Sequence, residues 1–215
     1  MDTTQHIPRA LATLLDDLKT ATPLSEERTE LRTIVDTFQD RGFGVLLFFL
    51  ALPAALPIPA LGINMIIALP ILLLTFQQIA GRHKIWLPEE VKKRTVKTKH
   101  LHGFIDKSTP FVKYIEKFIS PRLGFICSPH FTRLIGIFGA IFALSITLPI
   151  PLTNTVPAMA IALMSIGIIL RDGIAVILGI FLGTFWISLL VYVIIFFGTE
   201  GFALIKGAIK VWIGL

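Results

Sequence analysis

Two proline strings hold the residues of this chain most able to build a site. Leu56-Pro57-Ile58-Pro59 and Leu148-Pro149-Ile150-Pro151 match letter for letter, and each is followed within five residues by an asparagine, Asn64 and Asn154. Proline lacks a backbone donor and obstructs the turn before it, so a run such as Pro53, Pro57 and Pro59 cannot continue a regular helix. Irregular backbone at membrane depth must be buried in protein or line a wet cavity. Broken segments at matching positions of two halves are therefore a pointer to a binding site, and helix ends there would offer amides to an anionic group such as a phosphate. Pro57, Pro59, Asn64, Pro149, Pro151 and Asn154 form the candidate substrate-binding set. The competing reading is that these residues shape two packed hairpins, with the asparagines bonding between helices.

Arg171-Asp172-Gly173 follows the second string and ends its apolar stretch with two adjacent opposite charges. It reads as a helix stop with glycine in the left-handed position and arginine as an anchor, or as a functional pair beside a cavity. Arg171 and Asp172 join the candidate set on the second ground. Gln77 and Gln78 come late in an apolar stretch and are expected at the membrane interface. The histidines offer little: His100 and His102 stand among Lys97, Lys99 and Lys107, which would repel a cation. A lone cysteine, Cys127, gives no disulfide framework and no metal cluster. No P-loop, nucleophile elbow or HExxH string occurs, and the apolar runs hold no ionisable group for intramembrane catalysis. The chain is expected to be no enzyme and to need no cofactor or metal.

The elements that must position these residues belong to a bilayer. The 215 residues are 54% hydrophobic and 16% charged, with a mean hydropathy of +0.78. Charge-free runs of 40, 37 and 27 residues lie between Arg41 and Arg82, Arg133 and Arg171, and Asp172 and Glu200. About 20 residues suffice for one crossing, and nothing alternates as barrel strands do. The fold class is all-α integral membrane: two repeated proline-broken helical hairpins, one further transmembrane helix, and amphipathic interfacial helices. The first hairpin's legs, Gly42–Leu52 and Met65–Gly81, reach roughly 16 and 25 Å at 1.5 Å per residue. Re-entrant legs and full crossings both remain open at this length.

Five segments follow. Residues 1–42 are cytoplasmic amphipathic helices, one over 7–20 with Ile7, Leu11, Leu14, Leu15 and Leu18 on one face and a second beginning near Pro23. Residues 43–81 and 134–172 are the two hairpins. Residues 82–133 are a connector with twelve Lys/Arg against four Asp/Glu, which favours a cytoplasmic location. Its stretch 111–131 reads as an interfacial helix with Phe111, Val112, Ile115, Phe118 and Ile119 on one side. Residues 173–215 are a final span to Thr199 and an interfacial tail. Lys92, Lys93, Arg94, Lys97 and Lys99 are the candidate contacts to anionic lipid. The basic-aromatic interleaving of nucleic-acid modules is missing, so nucleic acid is not expected as a partner; a thin bundle of this kind is expected to dimerise.

The Pro-Ile-Pro turn, Gly81-Arg82 with Trp86-Leu87-Pro88, and Ser120-Pro121-Arg122-Leu123 together resemble the ExoD family. So does Pro149-Ile150-Pro151 with Asn154-Thr155-Val156-Pro157-Ala158, running on to Arg171-Asp172-Gly173. The resemblance covers residues 24–195 and implies a bacterial inner-membrane protein linked to exopolysaccharide production; it carries over no catalytic residue. The first loop departs from it with Ala60-Leu61-Gly62 where a tighter turn is expected. The function expected is binding or translocation of an anionic or lipid-linked substrate at the paired loops. The rivals are a scaffold that recruits polysaccharide machinery or anionic lipid through the connector, and a small ion or solute channel.

Overall fold

The structure, a computed structural model, describes residues 11–38, 41–56, 63–82, 84–117, 119–147 and 154–213. Among these the elements run α1 (Leu11–Ala21), β1 (Arg28–Glu30), α2 (Leu31–Phe38), α3 (Gly42–Ala55), α4 (Ile63–Ile79), α5 (Glu89–Lys92), β2 (Thr95–Lys97) and α6 (Thr98–Glu116). A 3₁₀ turn, Gly124–Cys127, then leads into α7 (Pro129–Thr147), α8 (Thr155–Leu170) and α9 (Gly173–Ile213). The class is all-α, with one short β-ladder that the sequence does not announce.

The helix order in space differs from the order in sequence. α8 lies between α3 and α9, while α4 lies along α7. Close approach depends on missing side chains. A Cβ on Gly44, near the start of α3, would stand 2.7 Å from Ile169 Cγ1 and 3.2 Å from the Ser165 carbonyl, both late in α8. A Cβ on Gly136, near the start of α7, would stand 3.0 Å from the Ile79 nitrogen at the end of α4. Helix pairs in apolar surroundings pack through small residues in this way, since backbone proximity is what earns them dispersion energy. Ile85, just past α4, packs on Gly42, and Leu123, just before the 3₁₀ turn, and Ile126 within it pack on Gly173. The starts of α3, α7 and α9 and the ends of α4 and α8 therefore gather at one end of the bundle.

The inside of this bundle is filled by Phe48, Ile71, Phe142, Ile146, Ile161 and Ile166, each at most 2% exposed. Its outside is also apolar. Met65, Ile66, Leu69, Leu73 and Phe76 form an exposed stripe on α4, and Leu134, Ile137, Ile141 and Leu144 form another on α7. Phe181 and Phe185 stand exposed on α9. Exposed apolar stripes of this kind mark surfaces that meet a partner or a membrane. Among the described residues one helix is long and apolar enough to cross a membrane: Gly173–Phe196, 24 residues or roughly 36 Å. The apolar helices Gly42–Ala55, Met65–Ile79, Phe131–Thr147 and Thr155–Leu170 are shorter.

A second body of structure covers the end where these termini meet. α1 buries Leu11, Leu14, Leu15 and Leu18 of the stripe read from the sequence, while Ile7 and the start of that stretch lie outside the described residues. It packs against α6, with the Ala12 N–H donating to Glu116 Oε1 at 3.1 Å and Lys19 paired with Asp106. β1 and β2 pair antiparallel with Thr29 opposite Val96. Below the ladder the hydroxyls of Thr29 and Thr98 meet at 2.9 Å, both side chains buried.

Several expectations need correction here. No helix begins at Pro23: that stretch turns and enters β1, and α2 starts only at Leu31. The strand exists because Arg94, Thr95 and Lys97, more than sixty residues away, supply its bonds, a partnership local periodicity cannot encode. Residues 111–131 are not one interfacial helix; α6 ends at Glu116 and the chain reaches the 3₁₀ turn through Leu123 at φ +51°. Val112 is 0% exposed and points into the protein rather than at lipid. α3 runs through Pro53 to Ala55 instead of stopping at Leu52, the proline lying in its last turn. The final helix breaks at Gly198 (φ +57°, ψ −149°), close to the expected limit at Thr199.

Candidate functional site

Pro57, Pro59, Pro149 and Pro151 lie outside the described residues, and of Asn64 only its backbone place in the first turn of α4 is described. Asn154 is described fully. It caps the N-terminus of α8 with its carbonyl, which accepts the Ala158 N–H at 3.1 Å, while its side chain makes no cap bond. The residue is 5% exposed and Oδ1 is buried without a hydrogen-bond partner among the described residues. Buried amide oxygens are nearly always paired, so this atom is unusual in the fold.

The Arg171-Asp172 step is built differently from the sequence reading. Arg171, not the glycine, takes the left-handed conformation (φ +55°), and its side chain is exposed. Asp172 is 5% exposed and accepts three backbone N–H bonds. Oδ1 takes Ile174 at 2.9 Å and Ala175 at 3.3 Å, capping α9, and Oδ2 takes Ser120 at 3.2 Å. The Gly173 N–H donates to the Arg122 carbonyl at 2.6 Å, and a Cβ on Gly173 would meet the Leu123 carbonyl at 2.6 Å. Glycine is required here for that close approach, not for a positive φ. Asp172 thus fastens the segment 120–123 to the turn between α8 and α9. Cys127 lies beside it, its thiol 3.6 Å from the Gly167 carbonyl. Burial pushes the thiol pKa up to about 11, with the Asp172 carboxylate adding to the rise and Arg171 opposing it.

A third arrangement was missed by reading the glutamines as interfacial. Gln77 and Gln78 are 6% and 2% exposed. Gln77 clamps the backbone of Trp86 from both sides, donating from Nε2 to its carbonyl at 2.9 Å and accepting its N–H at Oε1 at 2.7 Å. The clamp folds the chain back over the end of α4, where the Arg82 guanidinium lies 5.8 Å from the Trp86 ring centre. Gly81 turns this corner at φ +73°, and the Arg133 guanidinium fills the space a side chain would occupy. The sequence signal was the string Gly81-Arg82 followed by Trp86, without a partner for either. Gln78 Nε2 is buried and, like Asn154 Oδ1, has no partner among the described residues.

On the connector, Lys92 bonds Glu89 at 2.7 Å, which lowers the pKa of the Glu89 carboxyl through that bond and the ammonium charge. Lys93, Arg94, Lys97 and Lys99 are exposed. Among the described residues no group of three or more His, Cys, Asp or Glu side chains could hold a metal.

The candidate residues therefore fall into separate places: Asn154 at one terminus of α8, Arg171 and Asp172 at the other, and the connector cations beyond. Comparison with known proteins bears on what they serve. A family model described as "Exopolysaccharide synthesis, ExoD" matches residues 11–192. A Synechocystis sp. protein, slr1875, is 33% identical over 189 residues, covering 86% of this chain and 89% of its own. Protein ExoD of Rhizobium meliloti is 29% identical over 177 residues, covering 80% of this chain and 70% of its own. No solved structure matches. With the match running from α1 into α9 and taking in the Asp172 turn and the Gln77 clamp, the chain belongs to the ExoD family of exopolysaccharide synthesis.

Proposed function

We propose that this chain is a multi-pass protein of the bacterial inner membrane that binds or moves an anionic or lipid-linked substrate of exopolysaccharide synthesis. The substrate would sit at the segments joining α3 to α4 and α7 to α8. The observation that carries the reading is the unpaired, buried Oδ1 of Asn154 at the mouth of α8. Leaving a buried acceptor without a donor costs about 1–3 kcal/mol, and a substrate hydroxyl or protonated phosphate would offset that cost. The family's link to exopolysaccharide supplies the substrate class.

The same proposal treats the two hairpins as a duplicated unit that enters and leaves on one side, with N-terminus and connector cytoplasmic. Gly44 and Gly136 each stand twelve residues before a Leu-Pro-Ile-Pro string. Each packs on the leaving helix of the other unit. Gly81 and Arg171 each stand seventeen residues after an asparagine of the pair, and both have positive φ. Parallel units of this kind would bring both loops to one end.

The test starts from Cys127→Ser with single cysteines at Asn64 or Asn154, in cells treated with a membrane-impermeant maleimide. Labelling of both positions, blocked by a polyprenyl phosphate, supports a wet substrate site. Positions that stay unlabelled in permeabilised membranes refute it. The scaffold reading then takes over, favoured by the exposed Lys93, Arg94, Lys97 and Lys99. It expects charge reversal there, rather than changes at Asn154, to abolish exopolysaccharide.

A further inference from the structure

The corner between α4 and α7 holds a cluster that the loop reading does not use. Arg82, Lys84 and Arg133 are exposed, and none of the three has an ion-pair partner among the described residues. Arg133 is the fifth residue of α7, near its N-terminus, where the helix dipole supplies no compensating negative charge. Its position is not left to a floppy side chain: the guanidinium packs into the space over Gly81. Arg82 is likewise held over Trp86, whose backbone Gln77 fixes with two bonds. Preplaced guanidiniums suit phosphate oxygens better than mobile ammoniums do, because their planar fork meets two oxygens at once.

What lies next to this corner decides the kind of phosphate. The exposed apolar stripes of α4 and α7 begin here, with Phe76 57% and Leu134 51% exposed. Trp86 is 49% exposed, as an indole at the boundary between headgroups and chains would be. A free anion would use the cations and ignore the stripes; a phospholipid uses both. We infer that Arg82 and Arg133 hold the headgroup phosphate of one anionic phospholipid, with its acyl chains lying on α4 and α7. The site rests on the membrane placement proposed above but is independent of any substrate at the loops.

The experiment is lipid titration of the purified full chain in detergent, followed by native mass spectrometry, with phosphatidylglycerol against phosphatidylcholine. Phosphatidylglycerol should bind about tenfold tighter, and Arg133→Gln or Arg82→Gln should each lose about tenfold, the order expected for one charge-assisted contact. The control Lys107→Gln/Lys113→Gln, on exposed positions of α6, should change binding less than twofold. Arg82 is exposed and in no helix, so R82Q keeps the test sharp if R133Q disturbs the α4–α7 contact. Equal binding of the two lipids overturns the inference, as does an unchanged affinity in both arginine variants. A loss caused equally by the lysine control means diffuse attraction to the connector and also overturns it. Competition by inorganic phosphate at the concentration that saturates with lipid would reassign the corner to a free anion. Flotation of the variants with liposomes separates this failure from failure of the membrane placement.

Discussion

Removing the Asp172 carboxylate should loosen two elements at once. In Asp172→Ala, α9 loses its N-cap, since Ile174 and Ala175 both donate to Oδ1, and loss of a cap costs about 0.5–2 kcal/mol. The Ser120 N–H, bonded to Oδ2 at 3.2 Å, is left without its acceptor, which adds about 1–3 kcal/mol where the group stays dry. The two costs fall on neighbouring groups and overlap, so the expected loss is roughly 2–4 kcal/mol. At about 2–4 °C per kcal/mol for a chain of this size, Tm should fall by roughly 4–16 °C in detergent, followed by intrinsic tryptophan fluorescence. Asp172→Asn separates the parts. Its remaining oxygen can still cap α9, but its NH₂ would face the Ser120 donor, so D172N should fall between wild type and alanine. The same substitutions report on Cys127, whose thiol pKa is raised partly by this carboxylate; both variants should label faster than the parent at one pH. A Tm within about 1 °C of wild type for Asp172→Ala would refute the reasoning, and would return Asp172 to the pool of functional ion-pair candidates.

Cys127 itself should react slowly with maleimide at pH 8. A thiol near 11 instead of the ordinary 9.0 carries about 100-fold less thiolate, and the rate should climb with pH until it levels off near 11; a plateau near pH 9 would contradict the burial. Gly183→Ala should destabilise by about 1–3 kcal/mol, because its Cβ would sit 2.4 Å from Phe142 Cζ. Phe142→Leu in the same chain should recover part of that loss, and thermal melts of the two variants and their combination check it. Gln78→Leu should leave the protein as stable or raise its stability by about 1 kcal/mol, since it removes a buried donor that no group accepts; a clear loss of stability would mean that the amide has a partner.

Composition and charge pattern determined much of this protein alone. The charge-free runs are longer than any soluble helix needs, so apolar helices followed from the residues, and the α1 stripe was legible because amphipathicity repeats every 3.6 residues. The family strings were legible because they are contiguous. What the sequence by itself did not reveal depends on residues distant along the chain. The β1–β2 ladder joins positions separated by more than sixty residues, and α3 chooses α8, not α4, as its main neighbour. Gln77 and Gln78 looked interfacial because hydropathy scores a side chain without its partner, whereas Gln77 is buried by satisfying both polar groups of Trp86. Glycine in Arg171-Asp172-Gly173 suggested a left-handed residue; tertiary contact gave that conformation to Arg171 and reserved Gly173 for the Leu123 carbonyl. Local chemistry settled which segments become helices and which faces are apolar, because those follow from each residue and its near neighbours. Only the folded chain decided which helices touch and which polar groups are paired, because backbone clearance and hydrogen-bond geometry exist only once distant segments have met.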